Sequence, residues 1–362
     1  MKILFAGHIA PGQTSFMRMR ALIRLGHTVH GVNTVTPWAR ASWLSRQVQR
    51  RLQRGSLTDE VNSSVLQAAH AVRPDLVWTE KQEFLRADTV HALRALGARV
   101  VHFTPDPYFS LDWKRTRIMD DALGAFDVLV YCKSYERPQY EHVGAPLVYM
   151  PLGYCDEVHR PLPDRDPRWT CAAGFLGGWE PRREHLLHAI AAAGVDLKVF
   201  GGYWDFLRHG RWSLRSAVIL RQLAAGEPFE FHRDPLLARA HQGGEVYGDD
   251  YARALTGAAI GLGFLRRCAP DQHTTRTFEI PACGSMLLGD RTDEHQALFE
   301  EGIEAEYFGD VTELIDKARF YTTHGSARDK VAASGRQRCI DSRYAYIHRL
   351  KSALNEIAAV VH

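Results

Sequence analysis

The stretch with the most chemical content is DQHTTRTFEIPACGSMLLGD, residues 271–290. It predicts a polar loop, a short helix that contains Pro281 and stops at Gly284, and then a buried strand. Glu279 lies close to the start of this helix, where a carboxylate either satisfies backbone amides or accepts hydrogen bonds from two vicinal hydroxyls. A capping box would need Ser or Thr three residues before it, and Arg276 stands there. We therefore favour a ligand role for Glu279.

Each half of the chain has a glycine-containing turn after its first predicted strand. The first turn contains Gly12, and the second, FLGGWEPRRE, contains Gly177 and Gly178. Glycine lets the backbone approach a phosphate, and the helix that follows offers unpaired amides. Neither turn is G-x-G-x-x-G, and the nearest approach, GLGFLR at 261–266, ends in arginine, which argues against an ordinary dinucleotide fingerprint. A strand-to-helix turn that needs a positive φ is the open alternative.

Arginines follow two of the predicted strand ends in the second half. Arg182 follows the glycine turn, and Arg266 follows the strand predicted at 258–264. Guanidinium forks match phosphate oxygens, so the pattern suggests a rim that binds a diphosphate. Arginine is frequent throughout this sequence, so an ordinary surface role stays open for each of them.

Two residues in the first half are candidates for a general base. His8 ends the first predicted strand, and Asp106 in HFTPDPYF ends the fourth. A base is needed where a reaction removes a proton from an attacking hydroxyl. The alternatives are a packed histidine at position 8 and an Asx turn between two prolines at position 106.

The elements that must position these residues are short apolar runs separated by helical patterns. This alternation predicts parallel sheets covered on both faces, in an α/β fold. The predicted strands are Ile3–Ala6, Val29–Val32, Leu76–Trp78, Val100–Phe103, Val128–Tyr131 and Leu147–Met150, and then Ala172–Leu176, Leu197–Phe200, Ala258–Phe264 and Ser285–Leu288.

The 362 residues suggest two domains at roughly 150 residues each. A proline- and charge-rich stretch, DEVHRPLPDRDPRW at 156–169, is interpreted as the linker between them. We predict Rossmann-like, doubly wound domains at 1–160 and 170–340 that face each other across a cleft. Residues 341–362 are predicted as a helix that packs back toward the first domain.

The composition excludes several classes of protein. Hydrophobic residues at 45%, charged residues at 24% and a net charge of +3 are typical of a soluble globular protein without a nucleic-acid partner. The six cysteines form no C-x-x-C pair, so we predict buried thiols, no metal site and a cytoplasmic protein. No apolar run reaches the ~20 residues of a membrane-spanning helix.

Two segments combine tryptophans with arginines. PWARASWLSRQVQRRLQRG, at 37–55, predicts a basic amphipathic helix. Such a helix can lie on an anionic membrane at the inner membrane face, and we favour the alternative that its apolar stripe packs on its own sheet. The segment 203–223, which precedes another loop up to 245, is given no function.

Several motifs together resemble a known family. GDDYARAL at 248–255, IGLGFLR at 260–266 and the RTFEIPACG block are similar to the carboxyl-terminal half of CgeB-like (spore maturation protein) glycosyltransferases. EHQALFEEGIEAEYF and SRYAYIHR extend the likeness toward the end of the chain, and VYCKSYERPQYEHVGAP and MPLGYCDEVHRP carry it more faintly into the first half.

The resemblance implies a GT-B fold whose carboxyl-terminal domain binds a nucleotide-sugar donor and whose amino-terminal domain, on the side of Gly12, binds the acceptor. Glu279 matches the glutamate that typically holds the donor ribose in retaining GT-B enzymes. Asp271 stands where those enzymes often carry a glutamate near the transferred sugar. Thr275 and Arg276, with the glycines and arginines named above, complete the expected donor site.

The expected reaction is glycosyl transfer from a UDP- or GDP-sugar to a small-molecule, glycan or glycoconjugate acceptor. Arginines and helix-end amides can stabilise a departing diphosphate, so neither a bound metal nor a permanent cofactor is expected. In a retaining reaction the departing phosphate oxygen can accept the acceptor's proton, whereas an inverting reaction needs a base. A non-hydrolysing nucleotide-sugar epimerase and a non-catalytic GT-B module that binds a sugar or a partner are the alternatives.

Overall fold

The computed structural model describes residues 1–164, 166–204 and 234–360. The chain divides into two compact units. Unit 1 comprises Met1–Cys155, Cys268–Pro270 and Tyr344–His362, and unit 2 comprises Asp156–Arg267 and Asp271–Arg343. Apart from Tyr203 and Trp204, the Trp- and Arg-rich segment at 203–223 lies outside the described residues.

Unit 1 contains a six-stranded parallel sheet in the order β2-β1-β3-β4-β5-β6. Central strands of such a sheet are covered on both faces, which is why they are continuous apolar runs. The strands are β1 Lys2–Gly7, β2 Thr28–Asn33, β3 Leu76–Glu80, β4 Arg99–Thr104, β5 Val128–Tyr131 and β6 Leu147–Tyr149. The helices between them are α1 Thr14–Arg24, α2 Thr36–Arg40, α3 Trp43–Leu52, α4 Ser56–Val72, α5 Ala87–Ala95, α6 Arg117–Leu123 and α7 Arg137–Val143.

Unit 2 contains a second six-stranded parallel sheet, in the order β12-β11-β10-β7-β8-β9. The strands are β7 Cys171–Leu176, β8 Leu197–Phe200, β9 His241–Gly243, β10 Ala258–Gly263, β11 Met286–Asp290 and β12 Glu306–Phe308. The described helices are α8 Pro181–Ala192, α9 Pro235–Ala240, α10 Gly248–Gly257, α11 Arg276–Ala282, α12 Asp293–Leu298, α13 Val311–Thr323 and α14 Gly325–Asp341. The last helix, α15 Tyr346–Val360, belongs to unit 1.

Each sheet reverses its strand order at one point, and ligands of open α/β sheets bind beyond the carboxyl ends of the strands at such a point. In unit 1 the reversal lies between β1 and β3, and in unit 2 it lies between β7 and β10. The loops that follow these four strands are therefore the places where each unit is built to hold a ligand.

A buried ion pair fixes α1 to the end of β3 in unit 1. The Arg18 and Glu80 side chains are 1% and 0% exposed, and Arg18 Nε donates to Glu80 Oε2 at 2.9 Å. The Ser15 hydroxyl donates to the same carboxylate at 2.6 Å. The Arg18 guanidinium also lies 5.0 Å from the ring centroid of Tyr346, at the start of α15. Helix α15 is thus part of the core of this unit.

A charged network at the edge of unit 2 lowers the pKa of two glutamates. Arg291 Nη2 lies 2.6 Å from Glu301 and 2.5 Å from Glu313. Hydrogen bonds from Arg291 lower the pKa of each carboxyl from 4.5 to about 2. Both carboxylates therefore favour the folded state while they are ionised.

The structure confirms the α/β fold and every strand predicted from the sequence, and it corrects three points. The short strands β9 and β12 were not predicted. The segment 156–169 is not a linker, because it lies within unit 2 and buries His159 and Trp169 there. The basic segment at 37–55 forms two helices, α2 and α3, rather than one.

Three further predictions concern the cysteine thiols, metal binding and membrane-spanning helices. Five cysteines are buried, but Cys268 is exposed, which corrects the prediction of uniformly buried thiols. Within the described ranges, no group of three or more His, Cys, Asp or Glu side chains is arranged to hold a metal ion. None of the described helices is long and apolar enough to cross a bilayer.

Candidate functional site

The glycine turn after β7 is shaped by close backbone packing. The Gly177 amide donates to the carbonyl of Phe200 at 2.9 Å, and its carbonyl accepts from Trp204 Nε1 at 2.9 Å. A Cβ at Gly201, where φ is +149°, would collide with that carbonyl. Neither Gly177 nor Gly178 has a positive φ, so the alternative of a turn that requires one is wrong here. The Gly177 amide already has a partner within the sheet.

Arg182 is tied to the end of β11. Its Nη1 donates to Asp290 Oδ2 at 3.2 Å, and its Nη2 pairs with the other carboxylate oxygen. The same carboxylate accepts from the backbone amide of Leu265 at 2.8 Å. Asp290, which sequence reasoning missed, therefore joins the ends of β10 and β11 to the start of α8. Arg182 thus lies at the predicted diphosphate-binding rim, but its guanidinium is already paired with the Asp290 carboxylate.

Arg266 and Asp271 form a second charged pair on the loop after β10. Arg266 Nη2 lies 3.6 Å from Asp271 Oδ2, and their side chains are 29% and 0% exposed. A carboxylate buried this deeply needs a positive partner close by. The structure thus brings these two predicted site residues together, with the guanidinium on the solvent side.

Arg276 places the start of α11 at the carboxyl end of β7. Its Nε donates to the backbone carbonyl of Leu176 at 3.2 Å, and its Nη1 donates to Thr275 Oγ1 at 3.3 Å. Thr275 stands at the N-cap position but makes no side-chain cap. The first turn of α11 therefore lies at the strand-order reversal of unit 2. The Thr275 side chain accepts no hydrogen bond from the backbone amides of that turn.

Glu279 is the centre of a buried polar cluster. The side chain is 3% exposed, and Oε2 accepts from the Tyr251 hydroxyl at 2.5 Å. The His159 ring lies 3.7 Å from Oε1, and Arg276 Nε lies 3.9 Å from Oε2. A carboxylate has about four acceptor sites, so one tyrosine does not saturate it. Burial lowers the pKa of His159 and raises that of Tyr251, which keeps both groups neutral at neutral pH.

This cluster joins three separate parts of the sequence. His159 comes from the stretch that was interpreted as a linker, Tyr251 comes from GDDYARAL on α10, and Glu279 comes from the RTFEIPACG block on α11. The roles of His159 and Tyr251 were missed. The available signal was that the motifs around them, MPLGYCDEVHRP and GDDYARAL, carry the same family resemblance as the block that contains Glu279.

A second polar network holds the loop before α11 against α12. His273 Nδ1 lies 2.5 Å from Glu294 Oε2, and Thr277 Oγ1 lies 2.8 Å from His295 Nε2. His295 Nδ1 in turn lies 2.6 Å from the carbonyl of Asp290. Burial lowers the pKa of His295 to about 4. The imidazole is therefore neutral at physiological pH, and it links the Thr277 hydroxyl to the carbonyl of Asp290.

Unit 1 carries a cluster of charged side chains beyond the carboxyl ends of β3 and β4, next to its strand-order reversal. Asp106 Oδ2 lies 2.7 Å from Lys114 Nζ and 3.2 Å from Lys81 Nζ. Lys81 has a positive φ of 55° directly after β3. Burial, with a smaller contribution from the Lys81 charge, lowers the pKa of His8. A cavity of about 50 Å³ beside Asp106 and His102 has room for a small polar group.

The two base candidates differ in their surroundings. Asp106 is engaged by two ammonium groups, whereas His8 is kept neutral, which is the state that accepts a proton. Gly12 lies in the turn between β1 and α1 with a φ of +84°, a conformation that favours glycine. For Gly12, the alternative of a turn that needs a positive φ therefore holds.

Comparisons with known proteins agree with this architecture. Residues 182–355 match a family model described as glycosyl transferase-like. The crystal structure of Anabaena HepE in complex with UDP-glucose superposes with a TM-score of 0.62 at 12% identity, over 99% of this chain and 100% of that chain. The protein has the GT-B fold and a glycosyl transferase-like carboxyl-terminal half. The predictions of this fold and of a glycosyltransferase are thereby confirmed.

Two further solved structures are similar to this protein, the second of them less so. Sucrose-phosphate synthase of Thermosynechococcus elongatus gives a TM-score of 0.62 at 11% identity, over 99% of this GT-B chain and 100% of that one. An enzyme named as a putative UDP-N-acetylglucosamine 2-epimerase, from Listeria monocytogenes, gives 0.55 at 12% identity, over 98% and 95% of the two chains. No curated protein matches the sequence.

Proposed function

We propose that this GT-B protein transfers a sugar from a nucleoside-diphosphate donor held by unit 2 to an acceptor held by unit 1, and that it belongs to the CgeB-like group. The observation that carries the proposal is the buried cluster around Glu279 at the strand-order reversal of unit 2. The donor is a UDP-sugar, because HepE is described in complex with UDP and with UDP-glucose.

Glu279 binds the ribose of the donor. Its carboxylate keeps acceptor capacity beside the bond from Tyr251, and two vicinal hydroxyls are donors of the right kind and number. Tyr251 and His159 hold the carboxylate in place: the tyrosine hydroxyl fixes one oxygen, and the neutral imidazole lies next to the other. A hydrogen bond to a charged group is worth roughly 1.5–3 kcal/mol, so this one residue supplies much of the donor affinity.

The diphosphate is held by Arg266 and Arg276, because the amides of Gly177 after β7 and of Thr277 in the first turn of α11 already donate to backbone carbonyls. These two guanidiniums are the more exposed ones, at 29% and 37%, whereas Arg182 reaches a phosphate only by sharing Asp290. Fixed positive groups of this kind stabilise the charge that develops on the departing diphosphate, so no metal is required. Asp271, next to Arg266, lies beside the transferred sugar.

The reaction proceeds with retention of the anomeric configuration. The departing phosphate oxygen then accepts the acceptor's proton, and no protein base is obligatory. The loops after β1 and β4, which carry His8, Gly12 and Asp106, form the acceptor side in this proposal. If the outcome were inversion instead, His8 would be the base, because its lowered pKa leaves it neutral and able to accept a proton.

Nucleotide binding tests the proposal directly. Calorimetric titration of the full chain with UDP, GDP, ADP, CDP and dTDP, each with and without EDTA, should show binding of UDP that EDTA does not change. We expect Glu279→Gln to weaken UDP binding by about 10- to 150-fold, which is the loss of one hydrogen bond to a charged group. Incubation with UDP-sugars and an acceptor panel should then release UDP.

The chain offers a matched control for Glu279→Gln. Glu306 is another buried carboxylate of unit 2 that accepts from a tyrosine hydroxyl, with Tyr321 at 2.5 Å, yet it lies on β12 away from the reversal. Glu306→Gln should leave UDP affinity unchanged. Equal losses in the two variants, or the absence of binding by any nucleoside diphosphate, would contradict the proposed donor site.

The similarity to the putative UDP-N-acetylglucosamine 2-epimerase makes epimerisation of a UDP-sugar the second candidate function. An epimerase converts a UDP-sugar to its epimer without any acceptor, so product analysis of an acceptor-free incubation distinguishes the two reactions. Binding of UDP without turnover across donor and acceptor panels would instead favour a non-catalytic module.

A further inference from the structure

Helix α3 presents its polar side to the protein. Ser45 and Gln49 are its half-buried positions, and Gln49 Nε2 donates to Ser45 Oγ at 3.0 Å. Gln49 Oε1 also accepts from the backbone amide of Leu57 at 2.9 Å. No residue of α3 is buried. The amphipathic pattern is therefore inverted, and the expectation that its apolar stripe packs on the sheet of unit 1 is wrong.

The large apolar side chains of α3 face solvent instead. Trp43 is 67% exposed, Leu44 64%, Val48 47% and Leu52 54%. Leu44, Val48 and Leu52 follow one another at helical spacing, so they form one continuous stripe. Single exposed apolar residues are ordinary, but four of them on one short helix indicate a surface that binds a protein or a membrane.

Arginines surround this stripe, and α3 contains no acidic residue. Arg40, Arg46, Arg50, Arg51 and Arg54 are all exposed. Within the described part of the chain, only Arg50 among these five has an acidic partner, Glu83 at 3.0 Å. The surface thus combines unburied apolar side chains with uncompensated positive charge.

The helix is held rigidly in this orientation. The Ser42 hydroxyl caps its start by accepting from the Ser45 amide at 3.3 Å, and Gln53 Oε1, just past its end, accepts from the Arg117 amide at 2.7 Å. In the preceding helix, the ring of Trp38 packs on Phe84 at 4.4 Å. The exposed surface is therefore preformed.

We propose that α3, with Arg40 and Arg54 at its flanks, is a docking surface for an anionic phospholipid bilayer. Tryptophan and leucine enter the boundary between headgroups and acyl chains, while arginines pair with lipid phosphates. Charge complementarity selects this partner over a second copy of the chain, because two such arginine-rich faces would repel each other. The inference is independent of glycosyl transfer, since it uses none of the residues proposed to bind donor or acceptor.

Vesicle co-sedimentation of the full chain tests the inference. At low salt we expect binding to vesicles that contain phosphatidylglycerol, little binding to pure phosphatidylcholine, and release at high salt. Each arginine near an anionic surface contributes about a fivefold gain in partitioning, so R46Q/R51Q should lower the partition coefficient by about 25-fold. Trp43→Ser combined with Leu44→Ser and Val48→Ser should lower it by more than about tenfold.

Matched variants elsewhere on the surface complete the test. Lys330→Gln with Lys351→Gln removes the same charge, and Ile303→Ser with Phe320→Ser and Ile340→Ser removes three apolar side chains of 45–50% exposure. Both controls should bind vesicles like the wild type, and circular dichroism should show that every variant folds.

Three results would overturn the inference. The first is no binding to anionic vesicles at low salt, and the second is equal loss in the controls and the α3 variants. The third is a dimer, seen by light scattering, that dissociates in the triple serine variant, because a second copy would then be the occupant of the surface.

Discussion

Arg18→Met tests the buried ion pair that joins α1 to β3. Methionine occupies much of the volume of the arginine stem, so the main loss is the positive partner of Glu80 rather than packing. The carboxylate would keep only the Ser15 hydroxyl at 2.6 Å among its described side-chain donors. A buried charge without its partner costs about 3–5 kcal/mol. We therefore expect unit 1 to lose about 4 kcal/mol of its free energy of unfolding.

A loss of this size is easily measured. One kcal/mol shifts the melting temperature of a domain of 150–250 residues by about 2–4 °C, so the unit 1 transition should fall by about 8–16 °C. Scanning calorimetry gives the shift, and hydrogen exchange in peptides from α1 and β3 assigns it to unit 1. The pair of Arg94 with Asp127, whose side chains are 44% and 15% exposed, is the more solvated control, and Arg94→Met should cost less than about 1 kcal/mol.

A double substitution separates the ion pair from packing. If Arg18→Met acts by leaving the Glu80 carboxylate without its positive partner, the double variant Arg18→Met with Glu80→Gln should lose less stability than the two single variants together. The difference should be at least about 1 kcal/mol. Additive losses, or an Arg18→Met variant as stable as Arg94→Met, would refute the reasoning.

Two further predictions concern pH. The glutamates paired with Arg291 have a pKa of about 2 in the folded protein against 4.5 ordinarily, so they add stability above pH 4.5 that disappears as the pH falls toward 2. Arg291→Gln should remove the larger part of that contribution, because Lys317 also pairs with both glutamates. Melting curves of the two proteins should converge near pH 2; a constant difference would contradict this. An NMR titration should show the pKa of His8 below 6.5, and Lys81→Met should raise it. Lys114→Met should leave it unchanged, and the same shift in both variants would contradict the assigned cause.

The sequence predicted the sheets well because parallel strands are buried on both faces and therefore appear as apolar runs. The two strands that were missed, HQG in β9 and EYF in β12, are three residues long and too short to show a pattern. The inverted orientation of α3 could not be predicted either. Periodicity shows which side chains share a stripe, whereas the contacts of Ser45 and Gln49 decide which stripe faces inward.

The candidate site was predicted in part. Glu279 stood out because Arg276, three residues before it, ruled out a capping box, and Arg266 stood out as a charge after a strand. Asp271 was singled out only through the family resemblance. The place of His159 in the site was not predicted, because the prolines and charges around it are typical of a linker. Its burial beside Glu279 depends on a contact between residues that are far apart in the sequence, and such a contact leaves no local signal.

The placement of α15 bears on the order in which the protein folds during synthesis. Unit 1 is discontinuous: α1 and the sheet precede unit 2 in the chain, but Tyr346, which lies over Arg18, is made only after unit 2. All of unit 2 lies in the sequence between those two parts. On the ribosome, unit 2 can therefore complete its core first, while the face of α1 that receives α15 stays uncovered until α15 has been made.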